Sequence, residues 1–180
     1  MKLLRTIRLD PSDTFVFETA AEPGEWAVSG AFPFWGTDAG ALQGKERTAF
    51  RAGFLGVNSL GRSTLVQIVD ATPEDRHALV EALARRLVEA FGAPDMDAAR
   101  VSAEDEVQFA ESLAVQPANT LIAVHRTYED GNVREAFRAL RSRGDAKPSR
   151  AFSFLNVEGE DEEQPAERVD LAQLADRKRK

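Results

Sequence analysis

The hydrophobic pattern of this chain changes period at Thr72, and that change limits the folds open to it. In residues 3–9, Leu3, Arg5, Ile7 and Leu9 alternate with Leu4, Thr6 and Arg8, the two-residue period of a strand. Beyond Thr72, Leu79, Val80, Leu83, Leu87 and Phe91 fall on one stripe at helical spacing, with Arg76, Glu81, Arg85 and Glu89 mainly off it. Thr72-Pro73-Glu74-Asp75 opens this helix with a hydroxyl cap, a proline at the first helical position and acids in the first turn. Gly92 and Pro94 close it. A chain that alternates early and then mixes helices and strands without regular βαβ order points to α+β. The expected architecture is a mainly antiparallel sheet with about three helices packed on one face, and α/β is the alternative.

Residues 14–18, with Phe15 and Phe17, 26–29, 48–57, 63–71, 120–127 and 151–157 read as strands. Asp10-Pro11-Ser12-Asp13 and Glu22-Pro23-Gly24 are turn clusters, so the opening reads as an antiparallel meander. A second helix is predicted from Ser102 and is stopped by Pro117. A third is predicted from Asn132-Val133-Arg134-Glu135, a capping-box variant, with Val133, Ala136, Phe137 and Leu140 inward. Residues 1–157 read as a single α+β domain. Residues 158–180, which begin with an acidic block and end in Lys178-Arg179-Lys180, read as a linker and short charged tail.

Composition removes several function classes. The 180 residues hold 23 Lys+Arg against 30 Asp+Glu, a formal net charge of −7, which speaks against nucleic acid as the partner. Cysteine is absent, so thiolate nucleophiles and cysteine metal sites are excluded. Arg5 and Arg8 interrupt the first apolar run, and no stretch approaches the roughly 18–20 apolar residues that span a bilayer. The expectation is a cytoplasmic protein with no membrane association.

Four features resemble chemistry. Gly56-Val57-Asn58-Ser59-Leu60-Gly61-Arg62-Ser63 has phosphate-loop spacing with Arg62 in place of lysine. A phosphate cradle needs a helix after the loop, and residues 64–69 read as strand, so the loop reads as a hairpin turn. His77 lies between Glu74 and Glu81 at helical spacing, but a dinuclear carboxylate site needs a second such pair, so no metal site is expected. In residues 121–128, alternation puts His125 with Leu121 and Ala123, and Arg126 with Ile122, Val124 and Tyr128. Alternation would give one of the two polar groups the core face, but strand ends commonly leave the core, and the expectation is that both groups reach solvent. Phe32-Pro33-Phe34-Trp35-Gly36 is the densest aromatic patch. On a loop, these rings either pack inward or form a partner surface.

Several phrases carry a resemblance: residues 3–10, Glu22-Pro23-Gly24-Glu25-Trp26, Gly53-Phe54-Leu55-Gly56 with Gly61-Arg62-Ser63-Thr64, Asn119-Thr120-Leu121 and Arg134-Glu135-Ala136-Phe137-Arg138. Over roughly residues 1–140 the chain resembles a small proteobacterial family of unknown function. The resemblance implies a bacterial cytosolic protein, places its relatives near lipoate-ligase-like and redox-enzyme maturation functions, and supplies no catalytic residue.

The leading expectation is a non-enzymatic accessory or binding protein that uses no cofactor. It would present Phe32, Phe34 and Trp35, with the hairpin that carries Arg62, to a protein partner or a second copy of itself, possible work being the maturation of a cofactor-dependent enzyme. The alternative is a small-molecule enzyme or carrier, with His125 and either Arg126 or Arg62 around an anionic ligand.

Overall fold

The computed structural model describes residues 1–141 and 156–157. The strands are β1 (Lys2–Ile7), β2 (Trp26–Val28), β3 (Phe54–Gly56), β4 (Arg62–Ser63), β5 (Leu65–Asp70), β6 (Leu121–Glu129), β7 (Asn132–Arg141) and β8 (Asn156–Val157). They form one sheet in the order β4-β3-β2-β1-β5-β6-β7-β8, and every neighbouring pair is antiparallel. The helices are α1 (Ser12–Val16), α2 (Gly44–Ala52), α3 (Pro73–Ala90) and α4 (Met96–Leu113). The fold is α+β, and the α/β alternative is set aside because no strand in the sheet pairs in parallel with its neighbour.

The long helices pack as a hairpin against the sheet. In α3, the Thr72 hydroxyl is the expected cap, accepting the Asp75 amide at 3.1 Å, and the Asp75 carboxylate completes a capping box by accepting the Thr72 amide at 2.9 Å. Leu79, Leu83 and Ala84 are fully buried. In α4, Ala99, Ala103, Val107 and Ala110 lie along one fully buried seam, and their small size lets the helix approach closely. Arg76 of α3 clamps the pair, its Nε 2.9 Å from Glu111 and its Nη2 2.6 Å from Glu104. The core beneath joins these seams to Leu4, Val66, Ile68, Ile122 and Val124 of the sheet.

Four local expectations are corrected. The second helix starts at Met96 rather than Ser102, because the Asp95 carboxylate caps it by accepting the Ala98 amide at 2.8 Å. Residues 14–18 do not form a strand. Ser12–Val16 is a short helix, with Phe15 71% exposed and Phe17 buried, which a shared strand face would not allow. Residues 48–57 are not one strand. Lys45, Glu46, Arg47 and Ala49 favour helix, so α2 runs to Ala52 and only Phe54–Gly56 is extended.

The expected third helix at Asn132 is strand β7. Asp130 and Gly131 both take positive φ, 53° and 78°, and make the two-residue turn of a β-hairpin. Val133, Glu135 and Phe137 then share a face as alternate residues, opposite Tyr128, Arg126 and Val124 of β6. Of the expected last strand, residues 156–157 form β8; residues 151–155 lie outside the described residues, as does the 158–180 segment expected to be a linker and tail.

Candidate functional site: an aromatic cleft over a buried arginine

The hairpin places Arg126 of β6 opposite Glu135 of β7. Arg126 is fully buried, so it takes the core face and His125 the other. All five guanidinium N–H groups find acceptors. Nε donates to Glu135 at 2.8 Å, Nη1 to the Phe50 and Gly53 carbonyls at 3.0 and 2.9 Å, and Nη2 to the Ser29 hydroxyl at 3.0 Å and to the Ser29 carbonyl. The Phe50 and Gly53 carbonyls belong to the end of α2, where helical carbonyls lack internal partners. One side chain thus ties α2, the segment after β2 and the β6–β7 hairpin together.

Arg62 lies beside it. Its Nη1 donates to Gly30 at 2.7 Å and also to the Gly53 carbonyl at 3.3 Å, and its guanidinium lies 5.0 Å from the centre of the Phe34 ring. Burial, and then the adjacent Arg126 charge, push its pKa down to about 9, so it stays protonated at neutral pH. Gly30 has a φ of +74°, and a Cβ there would lie 2.7 Å from Arg62 Nη1. Only glycine lets the chain turn this close to the guanidinium.

Beyond that turn, the aromatic loop divides. Phe32 packs edge-on against Phe91 of α3, centroids 5.1 Å apart, and Phe34 edge-on against Phe50 of α2 at 5.4 Å. Trp35 is 70% exposed. Phe32 and Trp35 wall a cleft of about 430 Å³ against α3 and α4, with Leu87, Phe91, Ser102 and Glu106 on the far side. A second cleft of about 280 Å³ shares Trp35 and Glu106 and reaches Ser29, Phe109, Val133 and Glu135.

Glu106 is the unusual group. Its Oε2 is buried and has no hydrogen-bond partner among the described residues. Burial, then the negative charges of Glu135 and Asp105 against the opposing pull of Arg126, raise its pKa to about 7. Glu135 is well satisfied by contrast, its Oε2 accepting both Arg126 Nε and the Ser29 hydroxyl, the latter at 2.7 Å.

The expected site residues therefore sort into three places. Phe32 and Trp35 line the cleft, while the half-buried Phe34 packs on a framework of the buried Arg62 and Arg126. His125 is exposed on the opposite face of β6, so the expected pairing of His125 with Arg126 around an anion does not form. Arg126 also has no N–H left to offer an anion.

Glu106 and Glu135 were not expected in the site. Glu106 could have been found from spacing, since it sits three residues after Ala103 and four before Ala110 on the apolar stripe of α4. Glu135 follows once Asp130-Gly131 is taken as a hairpin turn, because that turn sets residue 135 opposite residue 126.

The loop with phosphate-binding spacing is filled from within. Glu25, itself buried, accepts the Asn58 and Ser59 amides at 2.7 and 2.9 Å, the Glu22 amide at 2.8 Å and the Ser59 hydroxyl. Strand β5 follows at Leu65, so the loop leads into extended chain and not into a helix. The amides that a phosphate would need are held by an internal carboxylate.

Such a fold, an antiparallel sheet backed by a helical hairpin with an aromatic cleft, defines a class by shape but not by reaction. Residues 1–156 match a family of unknown function, DUF6505, and the chain belongs to that family. No curated protein and no solved structure matches it. Among the described residues, no helix is long and apolar enough to cross a membrane.

Proposed function

We propose that this protein is an accessory binding protein that docks a protein partner in the cleft beside Trp35. The observation that carries the reading is the contrast within one loop. Phe32 and Phe34 are pinned by edge-on ring contacts, and they hold Trp35 70% exposed at the mouth of a cleft of about 430 Å³. A large ring held in water on a fixed loop is a preferred interface anchor, since little freedom is lost when it is covered. The net charge of −7 favours a protein over a nucleic acid as partner. The resemblance read from the sequence adds a direction, the maturation of a cofactor-dependent enzyme.

Photo-crosslinking from position 35 in the native cell, with a control at Val115, tests the reading. Val115 is 72% exposed but lines neither cleft. The expected result is one predominant protein adduct from position 35, absent from position 115; a second copy of this chain would identify a homodimer. No adduct, or the same adducts from both positions, would end the reading.

A further inference from the structure

We propose that the cleft seats a lysine side chain of the partner, its ammonium on Glu106 and its aliphatic stem along the aromatic wall that Phe32, Trp35 and Phe91 form. This inference rests on reading the cleft as the partner site. Three observations support it.

The first is the orphan oxygen. A buried carboxylate oxygen without a donor is costly, and the cost is relieved when a cation arrives. The second is the sign of the surroundings. The charged residues that line the two clefts are Asp105, Glu106 and Glu135, and no described basic residue lines either one. Arg126, whose positive charge acts on Glu106, is bonded inward through every N–H. The third is the wall. Phe32, Trp35 and Phe91 offer aromatic surface, which attracts ammonium groups and packs against methylene stems.

Lysine fits better than arginine. A single unpartnered oxygen suits a point charge with three rotatable donors, whereas a guanidinium fork is best matched by two free oxygens side by side. An acidic protein also draws a basic segment toward it before contact.

The test uses three capped tripeptides, acetyl-Leu-Lys-Leu-amide, its norleucine counterpart and its arginine counterpart, titrated into the full chain at pH 8 and low salt. Calorimetry gives affinity, and amide chemical shifts locate the site. The lysine peptide is expected to bind at least tenfold tighter than the norleucine peptide and tighter than the arginine peptide. Glu106→Gln should abolish the lysine advantage over norleucine, while Trp35→Ala should weaken all three. Glu106→Gln removes a buried charge without changing shape, so it keeps the fold, which an unchanged amide spectrum away from the cleft confirms.

Equal binding of the lysine and norleucine peptides overturns the lysine assignment, as does a preference that survives Glu106→Gln. If that equal binding still depends on Trp35, the partner-site reading stands alone. A preference for arginine also overturns the assignment. No shift at the cleft with any peptide removes both.

Discussion

Arg126 and the Oε2 of Glu106 are both buried and share a neighbour in Glu135, yet they are treated in opposite ways. Arg126 spends all five donors on internal acceptors and is fully buried. Glu106 keeps a buried oxygen with no partner among the described residues, beside a cleft. A buried charge whose bonds are complete holds the fold together, and breaking it is costly. A buried charge whose bonds are incomplete destabilises the free protein and leaves free energy to be recovered on binding. The difference between them separates framework from site within one small region.

Replacing the framework charge should have the largest effect. Arg126→Met leaves Glu135 without its counter-charge and the Phe50, Gly53 and Ser29 carbonyls without that donor. Urea denaturation should show a loss of about 3–5 kcal/mol. A loss under about 1 kcal/mol would mean that the five bonds do not hold α2, Ser29 and the hairpin together.

Glu135→Gln sharpens the comparison from the middle. It weakens the Arg126 pair, for an expected loss of about 1–3 kcal/mol, and removes the repulsion that helps raise the Glu106 pKa. The Glu106 titration should move toward acid, and an unmoved midpoint would show that Glu135 does not act on it.

Glu106→Gln should have the opposite sign to Arg126→Met. The folded pKa of about 7 lies above the ordinary 4.5, so between those values the folded state binds more protons than the unfolded one. Stability is therefore full below about pH 4.5 and is lost as pH rises toward 7. For a partly buried group the loss is about 1–3 kcal/mol at most. The Gln variant should be more stable than wild type at pH 8 and should lack this slope, as thermal melts across pH 4–8 would record.

The smallest effects are expected at exposed groups. Trp35→Ala and His125→Ala should each change stability by less than about 0.5 kcal/mol. Only Trp35→Ala should weaken binding in the cleft, and equal binding losses would place the site elsewhere.

Strong local signals were readable before the structure. The Thr72 cap, the stripe of α3 and the strand nature of residues 65–70 follow from spacing alone, whereas the expectation that both His125 and Arg126 reach solvent fails at Arg126, which is fully buried. Two misreadings have one cause, that a short apolar pattern fits both periods. Phe50, Ala52 and Phe54 alternate like a strand, yet Phe50 and Ala52 lie in α2, where the preceding helix formers prevail. Val133, Ala136, Phe137 and Leu140 fit a helix, yet the Asp130-Gly131 turn makes them strand. The site was half legible. Its aromatic rings and Arg126 were visible in the sequence, but the pairing of Arg126 with Glu135 depends on register, and the isolation of Glu106 depends on packing between elements distant in the chain.

The most direct test is a pH titration of the Glu106 side-chain carboxyl carbon by NMR, free and with the lysine tripeptide bound. The account predicts a midpoint near 7 in the free protein, moving well to the acid side when the ammonium is in place. A free midpoint near 4.5 that the peptide leaves unchanged would contradict it.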